Sequence, residues 1–591
     1  MLTRTSFRFS PAGTRAACLV AREPGEWRVE SWSLDPVEPA FTSTELAVRG
    51  PASQVLPLDG GAVLCCQPAP NDERRHEITL VRPDGSARRI AAHRALGLRL
   101  LDHPHAGALA VAVSTDGEAE LSSSVWLVRD DAPALTHALT VPGLLAGGSW
   151  LDHGATRLAF TQARLGHLTT LVADLSSASV APLWPDLSGV RLLLASPGGR
   201  LLLAADDEQA IGWATEEGEL RWSAALDGRR AALPLAVDVS GTRVAVRVED
   251  GARSGIAVYT PHDDALADLS LPAGTVGGTA SWRADSVRFP FAPPGHPAGI
   301  AEVRVGDSRT FRMPGASAAT DRLAPRVESF TGPDGAVEAI VHGDWRHAPA
   351  VVVALHGGPE ACWRIDGDPF LASLAADGAA VVAVNPRGSR GYPGAGEAVR
   401  DAWGGPDLRD VLTVATALTG RRGRPVRLFG ASYGAFLALL ALATRPELWE
   451  RAAVVAPFLS GERLFADAGP RVRALLDRLG GRTVYTDDLG PRDVLLLADR
   501  IATPLLLMHG TDDDVIPVHH SRELHARLRE RGADVTYLEL TDSGHDPLAG
   551  PRAGAAAERL RGFLTEGVPS APAVDRHHGP RGGTHLALGR R

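Results

Sequence analysis

The residues of this chain best suited to chemistry are those of the segment Gly430–Gly434, which has the pattern Gly-x-Ser-x-Gly. Ser432 follows a short apolar run and precedes an Ala- and Leu-rich stretch, a succession that predicts a strand, a tight turn and a helix. Such a turn needs glycine on both sides of the serine, because the chain doubles back and leaves no room for side chains. Ser432 is therefore the candidate nucleophile.

A serine hydroxyl needs a base to take its proton and a carboxylate to orient that base. Downstream of the serine, the apolar run 504–508 leads into an acidic loop with Asp512–Asp514. The strand pattern 535–540 is then followed by His545. The order serine, acid, histidine is that of an α/β-hydrolase, and it predicts His545 as general base and an acid of the loop as its partner.

An oxyanion hole is predicted upstream of the serine. The apolar strand Val351–Leu355 ends in His356–Pro359, a turn with two glycines whose backbone N–H groups are free of bulky side chains. Such groups can face the negative charge that develops on a substrate oxygen, and the second donor would be the N–H of Tyr433, directly after the nucleophile.

Residues from about 325 to 566 resemble the catalytic domain of the prolyl oligopeptidase family, most closely its acylaminoacyl-peptidase and dipeptidyl aminopeptidase branch. The shared motifs are His356–Pro359, Asn385–Tyr392, Trp403–Asp410, the turn at Ser432, the loop at Asp513 and His545. The resemblance implies Ser432 as nucleophile, Asp513 as orienting acid and His545 as general base. It also implies the N–H groups of Gly358 and Tyr433 as the oxyanion hole.

Within the acidic loop, the resemblance favours Asp513 over Asp512 and Asp514, because Asp513 stands three residues after Gly510 as in the family loop. One position departs from the family. The dipeptidyl-peptidase and prolyl-endopeptidase branches have a tyrosine where this chain has His356, and its hydroxyl helps to hold the oxyanion. The resemblance does not supply that contribution here.

The N-terminal half shows a repeat that is independent of these motifs. A turn followed by an apolar strand recurs at intervals of 48, 46, 47, 45, 42 and 44 residues, at Gly13, Gly61, Gly107, Gly154, Gly199, Gly241 and Asp285. This spacing is typical of four-stranded propeller blades, and seven anchors predict seven blades. The alternative interpretation is a pair of β-sandwiches with coincidental turns.

Length and pattern together predict two domains. We expect a seven-bladed β-propeller over residues 1–320, which in the family restricts access to the serine, and a doubly wound, mostly parallel α/β-hydrolase domain over 325–566. The tail 569–591 is rich in Pro, Gly, His and Arg without apolar periodicity, which predicts disorder.

Composition excludes several classes of function. The net charge of −9 is spread along the chain without a basic stripe, which argues against nucleic-acid binding. No window approaches the 18 apolar residues that a membrane span requires, so we expect a cytoplasmic protein with no membrane contact. No cofactor is implied, and the number of subunits is left open.

Other metal-type or reactive side chains have ordinary interpretations. His519, His520 and His525 lack the spacing of a paired carboxylate–histidine site, so we expect packing or solvated histidines and no metal. The cysteines are too few and too irregular for a disulfide framework or a zinc site, and we expect buried thiols at Cys18, Cys65, Cys66 and Cys362.

The expected chemistry is acyl transfer to Ser432 followed by hydrolysis. The resemblance implies short peptides as substrates and an oligopeptidase or an aminopeptidase-like exopeptidase as the enzyme. The first alternative is an esterase, or a biosynthetic acyl hydrolase or cyclase, acting on a peptide-like metabolite. The second is a propeller scaffold without catalysis, which the presence of nucleophile, acid and base disfavours.

Overall fold

The structure is a computed structural model that describes residues 2–22, 26–34, 40–105, 107–117, 120–196, 198–206, 209–216, 218–227, 231–314, 324–392, 394–548 and 553–568. The predicted tail 569–591 lies outside these residues. Most of the predicted boundary between residues 320 and 325 lies outside them as well.

Seven small antiparallel sheets form the N-terminal part of the described chain, and the prediction of a seven-bladed propeller is confirmed. Blades 1 to 4 contain β1 (Thr3–Phe9), β2 (Arg15–Ala21), β3 (Trp27–Ser33), β4 (Ala40–Val48); β5 (Gln54–Pro57), β6 (Val63–Ala69), β7 (Asp72–Val81), β8 (Ala87–Arg94); β9 (Gly97–Asp102), β10 (Ala110–Asp116), β11 (Ser122–Val128), β12 (Leu135–Pro142); β13 (Leu144–Trp150), β14 (Arg157–Arg164), β15 (His167–Asp174) and β16 (Ser179–Pro182). Blades 5 to 7 contain β17 (Arg191–Ala195), β18 (Leu202–Ala205), β19 (Ile211–Ala214), β20 (Arg221–Trp222); β21 (Ala232–Val237), β22 (Val244–Asp250), β23 (Arg253–Thr260), β24 (Ala265–Asp268); β25 (Thr275–Val276), β26 (Ser281–Arg283), β27 (Ser286–Ala292), β28 (Gly299–Arg304) and β29 (Asp307–Arg312).

Each predicted repeat anchor lies in a turn that leads into the second strand of its blade; in blade 7, Asp285 lies between β26 and β27. The turn is followed by a strand with apolar residues on both faces, such as β10, in which Ala110, Val111 and Ala112 are fully buried. Both faces are buried because neighbouring blades pack face to face, so these strands read as continuous apolar runs. For this reason the repeat is visible in the sequence as a series of turns, each followed by an apolar run.

Blades 1 and 7 meet at a seam that no shared strand closes among the described residues, because each sheet is built from a contiguous stretch of chain. Side chains bridge the seam instead. Ile300 of blade 7 packs with Phe7 and Trp32 of blade 1, and the Arg288 guanidinium donates to the Gly13 carbonyl at 3.3 Å.

The C-terminal part is built on an eight-stranded sheet in the described chain, with the order β30-β31-β33-β32-β34-β35-β38-β39. Its strands are β30 (Arg326–Gly332), β31 (Gly335–His342), β32 (Val351–Leu355), β33 (Ala380–Asn385), β34 (Val426–Ala431), β35 (Trp449–Val455), β38 (Leu505–Gly510) and β39 (Val535–Leu540), with a separate hairpin of β36 (Thr486–Asp487) and β37 (Gly490–Pro491). β30 and β31 are antiparallel to their neighbours and the other six strands are parallel.

Helices cover both faces of this sheet, which makes the domain doubly wound as predicted. They are α1 (Pro369–Ala376), α2 (Pro406–Arg422), α3 (Tyr433–Thr444), α4 (Gly461–Asp467), α5 (Pro470–Arg478), α6 (Val494–Leu497), α7 (His519–Glu530) and α8 (Ala553–Thr565). Leu408, Leu437 and Leu524 of α2, α3 and α7 pack on one face, and Leu371 and Leu560 of α1 and α8 pack on the other. None of the described helices is long and apolar enough to cross a membrane.

The loops that follow β32 and β33 contact the propeller through the turn between β22 and β23. Gly251 donates its N–H to the Gly391 carbonyl at 2.8 Å, and Ile365 donates to the Ala252 carbonyl at 2.9 Å. The Arg364 guanidinium also bonds the buried carboxylate of Glu249 at 2.7 Å. The carboxyl edge of the parallel sheet therefore faces the propeller.

His342, the last residue of β31, is a buried imidazole with no hydrogen-bond partner for either nitrogen in the described structure. Burial, and then the Arg326 charge, lower the pKa of His342 to about 4. We expect His342→Leu to raise the free energy of unfolding at pH 7 by about 1 to 2 kcal/mol, because two unsatisfied polar atoms are removed.

The gain from His342→Leu grows at lower pH. Between pH 6.5 and pH 4 the unfolded chain binds a proton at His342 that the folded chain resists, so the wild type loses stability across this window. The extra gain at pH 5 is about 2 kcal/mol. Chemical denaturation at pH 7 and pH 5 measures it, with exposed His167→Leu as a control that shows no such gain. A loss of stability at both pH values would mean that a buried water satisfies the ring.

Candidate active site

Ser432 occupies the turn between β34 and α3 in a strained backbone conformation, with a positive φ of 55° and ψ of −119°. A Cβ at Gly430 would collide with the Gly434 carbonyl, and a Cβ at Gly434 would lie 2.5 Å from the His356 carbonyl oxygen. Only glycine fits either position, which is the physical reason for the Gly-x-Ser-x-Gly spacing. The Ser432 N–H is held by the Val455 carbonyl of β35 at 2.8 Å.

A hydrogen-bonded chain leads from Ser432 into the domain. The Ser432 Oγ lies 3.0 Å from His545 Nε2, and His545 Nδ1 lies 2.8 Å from Asp513 Oδ2. Asp513 is buried, whereas Asp512 and Asp514 are exposed. Of the three acids in the loop, Asp513 is therefore the one whose carboxylate the structure brings to His545.

The charge of Asp513 is stabilised although the carboxylate is buried. Burial raises its pKa, but hydrogen bonds from His509 and His545 outweigh that effect and hold the pKa of Asp513 well below its usual range. A carboxylate that stays ionised can fix the tautomer of His545 and stabilise its protonated form.

The backbone N–H groups of Gly358 and Tyr433 are the candidate oxyanion donors. Gly357 packs close enough that a Cβ there would lie 3.9 Å from Ser432 Oγ, and the Gly358 N–H donates to no acceptor in the described part of the chain. Tyr433 is the first residue of α3, where an N–H has no partner within the helix. Free donors at a helix N-terminus favour an anionic oxygen.

His356, which stands where other branches have tyrosine, is turned into its own loop. Its Nδ1 lies 2.6 Å from the Gly357 carbonyl oxygen, and its Nε2 lies 2.8 Å from Ser389 Oγ. Burial lowers the pKa of His356 to about 4, so the ring is neutral at pH 7. Both nitrogens are occupied, and neither is free to bond an oxyanion.

Asp407 is a buried acid, and its Oδ2 accepts from the Tyr433 hydroxyl at 2.6 Å. Burial raises the pKa of Asp407 to about 6, against the opposing effect of the bond from Tyr433. The Tyr433 ring also packs edge-on against Trp403, with 5.1 Å between ring centroids. These contacts anchor the residue whose N–H lies beside Ser432.

Tyr433→Phe is expected to lower the free energy of unfolding by about 1 to 3 kcal/mol, because buried Asp407 loses a donor. The loss raises the pKa of Asp407 further, and a carboxyl whose folded pKa is raised gains stability as the pH falls through that pKa. The deficit is therefore larger at pH 8.5 than at pH 6. Denaturation at both pH values measures it, and Tyr537→Phe, whose hydroxyl bonds a partly exposed glutamate, is the control. An equal deficit at both pH values would contradict the expectation.

The three histidines of the α7 region do not approach the serine chain directly. His525 packs against Tyr537. His519 and His520 lie beside Asp467 of α4, a contact that the spacing of these residues in the sequence does not predict. His520 Nδ1 accepts from the Leu459 N–H at 3.4 Å. A neutral ring then carries its proton on Nε2, the atom that faces Asp467, and this is the wrong tautomer for a metal ligand there.

Three cysteines, Cys18, Cys65 and Cys66, are buried free thiols, and Cys362 is half-buried. Burial raises the pKa of each thiol. None of the four contacts the chain of hydrogen bonds at Ser432 within the described residues.

Sequence reasoning missed two residues of the site. Asp407 was part of a shared motif without a role, and His509 was only the residue that follows the apolar run 504–508. His509 is fully buried and its Nε2 lies 3.1 Å from Asp513 Oδ2. A histidine in a buried strand, four residues before an acid, was the available signal.

The comparisons with known proteins locate this site in a family. The model of the prolyl oligopeptidase family matches residues 368–567, a range that includes Ser432, Asp513 and His545. Over this range, about a third of the chain, the sequence matches the prolyl oligopeptidase family. Members of this family are serine hydrolases, and the resemblance stated from the sequence is thereby confirmed.

Relatives of the chain cover either the hydrolase region or the whole fold. An uncharacterized peptidase, YuxL, of Bacillus subtilis is 29% identical over 206 residues, which are 33% of this chain and 31% of that protein. The match thus spans about a third of the curated relative. A puromycin hydrolase structure aligns over 96% of both chains with 20% identity and a TM-score of 0.71. The acylaminoacyl peptidase of Pyrococcus horikoshii aligns over 97% of both chains with 13% identity and a TM-score of 0.76. At these identities, the two structures show a shared fold.

Proposed function

We propose that this chain is a serine peptidase that hydrolyses short peptides, as an oligopeptidase or an aminopeptidase-like exopeptidase. The observation that carries the proposal is the hydrogen-bonded chain from Ser432 Oγ through His545 to Asp513, at 3.0 Å and 2.8 Å. In this mechanism His545 takes the Ser432 proton as the hydroxyl attacks the scissile carbonyl. The N–H groups of Gly358 and Tyr433 hold the oxyanion of the tetrahedral intermediate.

The second half of the cycle uses the same groups. Protonated His545 gives its proton to the departing amine, which leaves an acyl ester on Ser432. His545 then takes a proton from water, the resulting hydroxide attacks the ester, and the acid leaves as the Ser432 hydroxyl is restored. Asp513 remains ionised throughout and stabilises the imidazolium.

The preference for short peptides is supported by where the site lies. Ser432 and His545 follow the carboxyl ends of parallel strands, and the loops at that edge contact the propeller through Gly251 and Ala252. A substrate therefore reaches the serine between the two domains. The relatives named as a peptidase, a puromycin hydrolase and an acylaminoacyl peptidase support cleavage of an amide bond at such a site.

The proposal is tested with chromogenic amides, comprising free aminoacyl, N-acylated aminoacyl, dipeptidyl and internal-proline substrates, together with p-nitrophenyl esters. We expect hydrolysis of amides with a free amino end, and a loss of about a millionfold in kcat for Ser432→Ala. Turnover of blocked amides alone would replace the exopeptidase with an acylaminoacyl-type enzyme. Turnover of esters alone would favour the esterase, and wild-type activity in Ser432→Ala would remove the proposal.

A further inference from the structure

The carboxylate of Asp513 receives four hydrogen bonds from the described residues. Its Oδ1 accepts from the N–H groups of Val515 at 2.9 Å and Ile516 at 2.8 Å. Its Oδ2 accepts from His545 at 2.8 Å and lies 3.1 Å from His509 Nε2. The side chain is fully buried. Two donors on each oxygen fill the acceptor capacity of a carboxylate, so rotation of this group would break several bonds at once.

His509 has a defined tautomer at this position. Its Nε2 also lies 2.9 Å from the Ile516 carbonyl oxygen, and a carbonyl and a carboxylate can only accept. The proton of a neutral ring is therefore on Nε2, shared between Asp513 and Ile516. The ring is closed in from behind by Ser521 of α7, whose Oγ lies 2.6 Å from Nδ1 and donates to it. His509 and Ser521 are both fully buried.

We propose that His509 is a positioning residue for catalysis: its Nε2–H holds the Asp513 carboxylate in the orientation that His545 requires. The proposal rests on the function proposed above, and it adds a fourth side chain, acting through Asp513, to the three that carry the chemistry. Ser521, on helix α7, holds the His509 ring in place through its hydrogen bond to Nδ1.

The contact matters most when charge develops. His545 becomes positive as it takes the Ser432 proton, and Asp513 must then stay ionised and in place. A second N–H on Oδ2 stabilises the anion without competing for the proton of His545. Titratable groups near His509 among the described residues include Asp513 in the loop, His545 on the same carboxylate oxygen, His520 on α7 and Glu539 at the paired position of the neighbouring strand β39.

If His509 served only to fill space, any side chain of similar size would replace it. A side chain of similar size without a donor, such as methionine, would fill the space but leave Oδ2 with one partner. Glutamine carries an N–H at nearly the reach of Nε2 and would keep the bond to Asp513. The pair His509→Met and His509→Gln therefore separates shape from hydrogen bonding.

The experiment measures kcat, KM and the pH profile of kcat/KM for the full chain, with fluorophosphonate labelling of Ser432 as a second rate. We expect kcat of His509→Met to fall about tenfold to a hundredfold with KM nearly unchanged, since a misplaced acid misplaces the base. The acid limb of kcat/KM moves to higher pH, because a carboxylate with one donor fewer favours protonated His545. His509→Gln restores kcat to within about threefold of the wild type, and restores the limb.

Two results would overturn the inference. One is a wild-type rate and acid limb in His509→Met, and the other is equal impairment in both variants, which would mark the role as shape alone. If His509→Met does not fold, Ser521→Ala is measured instead, because it removes the hydrogen bond to His509 Nδ1. We expect a smaller loss in kcat for this variant, and a wild-type kcat and pH profile would refute the inference. Failure of the proposed function looks different, since the wild type would then either neither label nor turn over any substrate, or turn over esters and no amide.

Discussion

Asp513→Asn is expected to lower kcat by about ten-thousandfold with KM nearly unchanged, the size of effect seen when the acid of such a triad becomes an amide. The reason in this chain is specific. All four groups around the Asp513 carboxylate are hydrogen-bond donors: two backbone N–H groups on Oδ1, and His509 and His545 on Oδ2. An asparagine must point its NH₂ at one of these pairs, and it finds no acceptor there unless a donor changes its protonation pattern.

The asparagine NH₂ is expected to face the histidines, because the ring of His545 can change tautomer whereas backbone N–H groups cannot. His545 would then accept at Nδ1 and carry its proton on Nε2, the atom that must take the proton of Ser432. The measurement is kcat on the best amide substrate of the panel. Asp512→Asn and Asp514→Asn, at the two exposed neighbours, are the controls and should change kcat by less than about threefold, as exposed substitutions usually do. A larger loss in either control would assign the acid to that neighbour.

Gly434→Ala is expected to lower kcat at least a hundredfold and to destabilise the hydrolase domain by about 3 kcal/mol or more. The added Cβ would overlap the Leu355 carbonyl oxygen and lie 2.5 Å from that of His356. These are backbone atoms at the end of β32 and cannot turn aside. Helix α3 would have to move away from the sheet, and Ser432 and the Tyr433 N–H would move with it.

The matched control is Gly420→Ala in α2, where an added Cβ meets no atom within 4 Å. An alanine there should leave kcat unchanged and add up to about 1 kcal/mol of stability, from helix propensity alone. Activity of Gly434→Ala within tenfold of the wild type would mean that α3 and β32 lie farther apart in solution than in this structure.

The fold was predictable because its signals are local and repeated. Propeller turns recur at a nearly constant interval, and the parallel strands of the hydrolase domain read as apolar runs because both of their faces are covered. The positions of Ser432 and His545 beyond the carboxyl ends of strands were predictable because each follows an apolar run in a fixed order. The choice of Asp513 among three adjacent acids needed the resemblance, since burial distinguishes them and a single sequence does not reveal burial.

Contacts between distant segments could not be predicted. Tyr433 meets Asp407 across 26 positions, and Asp467 meets His519 across 52. Such pairs depend on how helices pack on the sheet, which no periodicity encodes. His509 belongs to the same class, because its ring is held by a contact with Ser521 on another element. The propeller turn that touches the hydrolase loops, at Gly251, also carries no mark in the sequence that distinguishes it from other turns.

The seam between blades 1 and 7 makes the propeller a ring that can open at one place, since no described strand is shared across it. Six neighbouring pairs of blades are connected through the chain, whereas among the described residues the seventh pair is connected by side chains such as Ile300 against Phe7 and Trp32. Parting the ring at this point breaks no strand pairing in the part of the chain that the structure describes, so little backbone hydrogen bonding there opposes it. A sideways gap can therefore form there while every blade stays folded. Such a gap would be lined by Phe7 of β1 and by Ile300 of blade 7.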